Sequence, residues 1–67
     1  MIEPGIKCVV KSVPKDSVLY ADMLGKEVKA EDKKGAVDKE SQGFSFEGGL
    51  LFGNGNTGFV VEAKAAN

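Results

Sequence analysis

Alternating apolar and charged residues near the start of the chain predict a first β-strand over residues 6–13. Ile6, Cys8 and Val10 share one face of an extended chain, and Lys7, Val9 and Lys11 share the other, because successive side chains of a strand point to opposite faces. Pro14 then ends the strand. Cys8 is expected to point inward and to act as a small hydrophobe rather than a nucleophile, since the chain has no histidine to activate it.

A second, charge-rich strand is predicted over residues 25–31. Val28 and Ala30 alternate there with charged neighbours. Such a density of lysine is typical of an edge strand, where it discourages pairing with foreign chains. Residues 32–35, Asp-Lys-Lys-Gly, predict a reversal of the chain, and residues 36–37, Ala-Val, predict the opening of a short third strand before a polar loop.

The second half of the chain holds all four phenylalanines and predicts further strands. Phe44 and Phe46 alternate with polar residues, as in a strand with one buried face. Two apolar runs follow, at residues 50–52 and 59–61, and the glycine- and asparagine-rich residues 53–58 separate them. These runs predict a β-hairpin with a wide tip. The expected fold is therefore mainly β, with about five short strands in a small barrel or an antiparallel meander.

The segment between the first two strands, residues 17–24, allows two interpretations. Leu19 and Met23 have the i,i+4 spacing of a helix face, as do Tyr20 and Leu24. One or two helical turns would explain this spacing, and a long irregular loop is the alternative. Tyr20 is amphipathic, so it either faces a partner or packs its ring and exposes its hydroxyl group.

Residues 53–58 also spell G-x-G-x-x-G, the string found in dinucleotide-binding folds. That motif opens a helix and needs an acidic residue about 20 positions further on, whereas Phe-Val-Val follows Gly58 and favours a strand. A Walker-type phosphate loop is excluded because no Lys-Ser or Lys-Thr follows the glycines. The remaining interpretations are a flexible hairpin tip and a backbone nest that binds an anion or a partner's carboxylate.

Length and residue types indicate a single small β domain over residues 1–67 with a thin core. A chain of this size buries only about 60% of the surface that it exposes when unfolded. Cys8 has no second cysteine to pair with, zinc lacks a ligand set, and the residues around Gly35 do not match a calcium loop. No metal and no cofactor are therefore expected. Residues 62–67 fade from a strand into an alanine-rich tail, which is ordered only if something holds it.

The charge balance argues against a nucleic-acid partner. Nine lysines against ten acidic residues give a net charge of −1, and arginine is absent, whereas nucleic-acid binding normally shows as a basic excess. The N-terminus lacks the basic and then apolar pattern of a signal peptide, and no apolar run approaches the roughly 20 residues that span a membrane. A cytoplasmic protein without membrane contact is the expectation.

Two short motifs resemble the opening of small SH3-like β-barrels of the KOW type. Residues 4–10, Pro-Gly-Ile-Lys-Cys-Val-Val, are similar to a strand entered through a Pro-Gly turn. Residues 24–30, Leu-Gly-Lys-Glu-Val-Lys-Ala, resemble the Gly-Lys-x-Val strand that follows after a loop. The resemblance spans about the first half of the chain and implies a small barrel that binds RNA or ribosomal and transcription proteins, as in short phage or bacterial accessory proteins. Because this chain departs from that pattern in lacking arginine, protein binding is the expectation.

Catalysis and a small-molecule substrate are not expected, because no acid or base stands in a catalytic spacing and the chain is too small for a closed pocket. One hypothesis is a non-catalytic protein-binding module, a structural or accessory subunit of a larger assembly, such as a phage decoration or cement protein of the virion. The alternative is a soluble regulator or inhibitor that binds a single host protein. The predicted partner-binding residues are Tyr20, Gly53, Asn54, Gly55, Asn56 and Thr57.

Overall fold

The computed structural model describes residues 1–64, which form five β-strands and one short helix. The strands are β1 (Lys7–Ser12), β2 (Glu27–Lys34), β3 (Gln42–Phe46), β4 (Gly49–Gly53) and β5 (Val60–Ala63), and a 3-10 helix (Val18–Met23) lies between β1 and β2. Neighbouring strands are antiparallel, and their order in the sheet is β4-β3-β2-β1-β5. The prediction of a mainly β chain of short strands is confirmed. The predicted tail at residues 65–67 falls outside the described residues.

The core lies where the inward faces of the five strands meet. Its buried apolar side chains are Cys8, Val10, Val28, Ala30, Phe44, Leu51, Phe59 and Val61. Phe44 is the largest of the fully buried side chains. The alternating pattern predicted which residues of the first two strands are buried, namely Cys8 and Val10 in β1 and Val28 and Ala30 in β2. Ile6 was expected on the same face, but it precedes β1 and is exposed.

β2 is the longest strand and lies inside the sheet, so its prediction as an edge strand is wrong. It pairs with β1 on one side and with β3 on the other. It also continues through residues 32–34, where a reversal was expected, and residues 36–37 form a bend rather than a third strand. Lys29, between the buried Val28 and Ala30, lies on the solvent-facing side of β2. Side chains stand perpendicular to the direction of backbone pairing, so their charge does not reveal whether a strand has one neighbour or two.

The tight hairpin of the second half joins β3 to β4, not β4 to β5. Phe46 pairs with Gly49, which leaves Glu47 and Gly48 as a two-residue turn. Gly48 has a φ of 104°, which a residue with a Cβ atom rarely adopts. β4 and β5 instead lie at opposite ends of the strand order. The predicted β4–β5 hairpin is therefore wrong, because the shorter reversal at Gly48 pairs β4 with the strand before it.

The two ends of the sheet approach each other beside Gly53, which curves the meander into a barrel-like shape. A Cβ atom added to Gly53 would lie 3.1 Å from Cγ2 of Val61 and 3.2 Å from Cβ of Phe59. The backbone N–H of Asn54 donates a hydrogen bond of 2.9 Å to the carbonyl oxygen of Phe59. A side chain at this position would push Val61 and Phe59 away by a few tenths of an ångström, so glycine suits the close approach of β4 and β5.

Residues 18–23 form a 3-10 helix, so the helical interpretation of this segment is confirmed. The helix begins after Ser17, whose side chain makes no capping hydrogen bond. It ends where the N–H of Leu24 donates to the carbonyl oxygen of Ala21. Gly25, with a φ of 83°, then turns the chain, and its N–H donates a 2.8 Å hydrogen bond to Val10. This hydrogen bond anchors the end of the helix to β1.

The buried side chain of Gln42 attaches the segment before β1 to the sheet. Its Nε2 donates to the carbonyl oxygen of Ile2 at 2.6 Å, and the N–H of Ile2 donates to its Oε1 at 2.9 Å. Nε2 also donates to the carbonyl oxygen of Glu31 at 3.2 Å. The N–H of Gly5 donates to the carbonyl oxygen of Ala30. The first residues are therefore part of the folded structure.

Candidate protein-binding surface

Tyr20 packs its ring against the core and leaves part of its surface in solvent. Its ring lies 5.1 Å from that of Phe59, centroid to centroid, with an interplanar angle of 71°, which is the edge-to-face arrangement that aromatic pairs favour. Since a 3-10 helix has about three residues per turn, Tyr20 and Met23 share a face. Met23 also packs against the core. The i,i+4 pairs expected for an α-helix are replaced by this i,i+3 pair.

The remaining apolar side chains of the helix point into solvent. Val18 is 90% exposed and Leu19 is 87% exposed, and the helix contains no buried residue. Leu24, directly after the helix, is also exposed. We call Val18, Leu19, Tyr20 and Leu24 the helix patch. Single exposed apolar residues are common, but four within seven consecutive positions are typical of a surface that contacts another macromolecule.

An open groove with a volume of about 390 Å³ lies beside the helix patch. Its walls include Tyr20, Phe46, Leu50, Phe52, Thr57 and Phe59. The Nζ atom of Lys26 lies 5.7 Å from the centre of the Phe46 ring, in the position of a cation–π contact. The lining is mostly aromatic and aliphatic. It therefore suits an apolar side chain of a partner better than a charged small molecule.

The side chain of Asn54 closes the gap between β4 and β5. Its Nδ2 donates to the carbonyl oxygen of Val61 at 2.9 Å, and the N–H of Val61 donates to its Oδ1 at 2.7 Å. Asn54 has a φ of 64°, which asparagine tolerates better than most residues with a side chain. Residues 53–58 are thus held by hydrogen bonds, whereas the sequence favoured a flexible hairpin tip.

Asp38 connects residues 53–58 to residues 35–41. Its Oδ1 accepts a 3.0 Å hydrogen bond from the N–H of Glu40, and its Oδ2 accepts one from the N–H of Asn56. A Cβ atom added to Gly55 would lie 2.7 Å from the backbone nitrogen of Ser41, so only glycine fits there. One N–H group in residues 53–58 therefore binds a carboxylate of the same chain, and the binding of an anion or of a partner's carboxylate there stays a prediction.

Thr57 links the loop to β4 and also borders the groove. Its Oγ1 donates to the carbonyl oxygen of Phe52 at 2.7 Å and accepts from the N–H of Phe59 at 3.4 Å. Of the six predicted partner-binding residues, Tyr20 and Thr57 line the same groove. The others (Gly53, Asn54, Gly55 and Asn56) serve contacts within the chain. A binding role for the six residues stays a prediction.

Sequence reasoning missed Asp38, Gln42 and the most exposed residues of the helix patch. Asp38 carried a weak signal, because aspartate often accepts a hydrogen bond from the residue two positions later in a turn. Gln42 gave no signal, since its partner Ile2 is 40 positions away. The i,i+4 spacing pairs Leu19 with Met23 and gives Val18 no apolar partner. Which apolar side faces solvent depends on the rotation of the helix, which its own six residues do not determine.

Two groups outside the groove have shifted pKa values. Burial raises the pKa of the Cys8 thiol, and a backbone hydrogen bond at Ala30 opposes part of this rise. The hydrogen bond and the positive charge of Lys64 lower the pKa of the Glu27 carboxyl group. The two atoms of this ion pair, Nζ and Oε2, are 2.6 Å apart and exposed, so the pair contributes little to stability.

The described residues 1–64 contain no group of three or more His, Cys, Asp or Glu side chains that could hold a metal ion. Within the same range, no helix is long and apolar enough to cross a membrane. Comparisons with protein-family models, with curated proteins and with solved structures gave no match. The function is therefore inferred from the residues of this chain alone.

Proposed function

We propose that the chain is a non-catalytic protein-binding module, most simply a small structural or accessory subunit of a larger assembly. The observation that carries this proposal is the helix patch, in which Val18 and Leu19 leave about nine-tenths of their surface in water. Burying a valine or leucine side chain in an interface contributes about 1.5–3 kcal/mol. The helix gains none of this within its own chain, so a partner surface would supply it.

The chemistry of the surface favours a protein as the partner. The net charge is −1 and arginine is absent, which gives a phosphate backbone little to bind. The helix patch and the adjoining groove are apolar, and protein interfaces have such centres. A phage decoration or cement protein, made in the cytoplasm and incorporated into the virion, is one concrete case. An SH3-like barrel of the KOW type belongs to the same proposal, since a curved five-stranded meander is compatible with it.

Capture from a lysate of the source organism, with three immobilised proteins, tests the helix patch. The wild type is compared with Leu19→Lys and with Val37→Lys. The second variant is a matched control, because Val37 is 99% exposed and lies outside the helix patch, in the loop between β2 and β3. We expect one protein to be retained in fixed stoichiometry by the wild type and the control and lost from Leu19→Lys. Equal retention by all three would place the contact elsewhere.

Light scattering on the purified chain tests whether the partner is another copy of the same chain. An oligomer of the wild type and of Val37→Lys that becomes a monomer in Leu19→Lys would support docking of copies through the helix patch. A monomer that also captures no protein would contradict the proposed function. Circular dichroism of each variant ensures that the added lysine has not unfolded the chain.

A second candidate function is the regulation or inhibition of a single host protein. The observation that favours it is the groove, where Tyr20 and Thr57 stand together beside aromatic side chains. Leu50→Lys changes the rim of this groove without changing the helix patch. A one-to-one complex that is lost in Leu50→Lys and retained in Leu19→Lys would favour the regulator. The opposite pattern, with many copies on a large particle, would favour the assembly subunit.

A further inference from the structure

Asn54 and Gly55 form the dipeptide in which asparagine loses ammonia most readily in unfolded chains. The reaction needs the backbone nitrogen of the following residue to reach the side-chain carbon Cγ. A glycine leaves that nitrogen unshielded, because it has no side chain. The chain has one other described asparagine, Asn56, and a β-branched threonine follows it. The two asparagines therefore differ in the residue that follows them, and the size of that residue controls the rate of ammonia loss.

The fold holds the side-chain amide of Asn54 away from this reaction. Nδ2 and Oδ1 bind the carbonyl oxygen and the N–H of Val61 at 2.9 and 2.7 Å, and the backbone N–H of Asn54 binds Phe59 at 2.9 Å. The amide occupies the place of a neighbouring strand beside β5. To present Cγ to the nitrogen of Gly55, the side chain must rotate and give up both hydrogen bonds to Val61.

We propose that the Asn54–Gly55 bond is a site of spontaneous deamidation that the hydrogen bonds to Val61 hold back in the folded protein. The backbone nitrogen of Gly55 attacks Cγ of Asn54 and loses its proton. The new C–N bond closes a succinimide ring, the bond from Cγ to Nδ2 breaks, and ammonia leaves with that proton. Water then adds to one of the two ring carbonyl groups, which yields aspartate or isoaspartate without any oxidation or reduction.

The product cannot restore the original contact. A carboxylate at this position accepts hydrogen bonds but donates none, so the carbonyl oxygen of Val61 faces a negative oxygen in place of an N–H group. Isoaspartate also lengthens the main chain by one carbon atom at position 54, directly after β4, where the backbone N–H of Asn54 binds the carbonyl oxygen of Phe59. Deamidation therefore opens the junction of β4 and β5 and exposes the edge of β5 to other chains.

The rate of deamidation in the folded and in the unfolded chain tests the proposal. The wild-type chain is incubated in a mildly alkaline buffer with and without urea, and peptide mapping by mass spectrometry follows aspartate and isoaspartate at each asparagine. We expect the reaction at Asn54 to be at least about tenfold slower in the folded chain, which corresponds to an opening free energy of about 1.4 kcal/mol or more. In urea, Asn54 should react before Asn56.

Two results would overturn the proposal. Equal rates at Asn54 with and without urea would mean that the hydrogen bonds to Val61 give no protection. A stable Asn54 in urea, or an earlier reaction at Asn56, would mean that the dipeptide is not the reactive site. The variant Asn54→Asp imitates the aspartate product, and it should melt at a lower temperature than the wild type and exchange the amide hydrogen of Val61 faster. Unchanged exchange at Val61 would contradict the proposed opening of the junction.

Discussion

Gln42 and Asn54 each use a side-chain amide to bind both backbone groups of a distant residue. Gln42 binds the N–H and the carbonyl oxygen of Ile2, and Asn54 binds those of Val61. An amide side chain carries a donor and an acceptor, as a residue of a strand does. Each side chain thus substitutes for a neighbouring strand, which lets short segments satisfy their backbone groups in a small protein.

Phe44 should contribute more to stability than Phe46. Phe44 is fully buried, whereas Phe46 is half-buried and packs at the border of the core. We expect Phe44→Ala to lower the free energy of unfolding by about 3–5 kcal/mol, the range for aromatic residues in cores, and Phe46→Ala to lower it by less. Urea denaturation followed by circular dichroism measures both. An equal or larger loss at Phe46 would contradict the assigned core.

Cys8 should make the folded chain sensitive to alkaline pH. Burial raises the pKa of its thiol above the ordinary value of 9.0, so the folded state holds this proton more tightly than the unfolded state does. The contribution to stability is complete below pH 9.0 and is lost as the pH rises through the raised pKa. The urea midpoint of Cys8→Ala should therefore fall less steeply with rising pH than that of the wild type. The two proteins differ only at position 8, so parallel slopes would contradict this role.

At the scale of elements, the residues that face the core follow from the sequence, but the pairing of strands does not. The alternation around Cys8 and Val28 fixes which side chains point inward, because it depends only on neighbouring positions. The position of β2 inside the sheet depends on contacts with residues far along the chain. The β3–β4 hairpin at Gly48 forms in place of the expected β4–β5 hairpin for a different reason, because its two-residue loop closes more tightly than the loop at residues 53–58.

The candidate surface was predicted only in part. The amphipathic character of Tyr20 indicated a residue with a packed ring and an exposed edge, and the structure has both. The glycines and asparagines of residues 53–58 indicated a turn, but their hydrogen bonds depend on Asp38 and Val61, which other elements bring to the loop. A sequence pattern describes the conformation that a loop tolerates, and tertiary contacts decide which conformation it takes.

The β3–β4 hairpin should depend on the glycine at position 48 and not on its neighbour. Gly48 has a positive φ of 104°, whereas Gly49 does not and has only ordinary contacts around an added Cβ atom. We expect Gly48→Ala to lower the free energy of unfolding by about 1–2 kcal/mol. Gly49→Ala should leave it unchanged or raise it by up to about 1 kcal/mol, because alanine reduces the freedom of the unfolded chain. Thermal or urea unfolding of the two variants measures the difference, and similar losses would contradict the turn geometry.

At the scale of the whole molecule, apolar packing rather than charge stabilises the fold. The core contains no charged side chain, and the described residues show a single ion pair, between Lys64 and Glu27, which is exposed. Positive and negative residues are nearly equal in number, so repulsion across the surface is small. The chain should therefore respond to changes in its core far more than to changes in its surface charge.

Salt should have little effect on the melting temperature. Raising the ionic strength from about 0.01 M to about 0.15 M shortens the screening length from about 30 Å to about 8 Å. An exposed ion pair contributes at most about 1 kcal/mol, so we expect the melting temperature to change by less than about 8 °C. Thermal unfolding followed by circular dichroism at several sodium chloride concentrations measures this change. A larger shift would indicate strong electrostatic interactions that the fold does not contain.

The amide of Gln42 determines how far a chain can be shortened from its start. Deleting Met1 and Ile2 would remove the partner of two hydrogen bonds of Gln42. Because Gln42 is only 2% exposed, its amide atoms would lose these bonds without gaining water, which is unfavourable. A chain that begins at Glu3 would therefore be less stable at the start of β3, although it lacks no strand. A truncated or fused form of this protein should therefore retain Ile2, because the side chain of Gln42 binds both of its backbone groups.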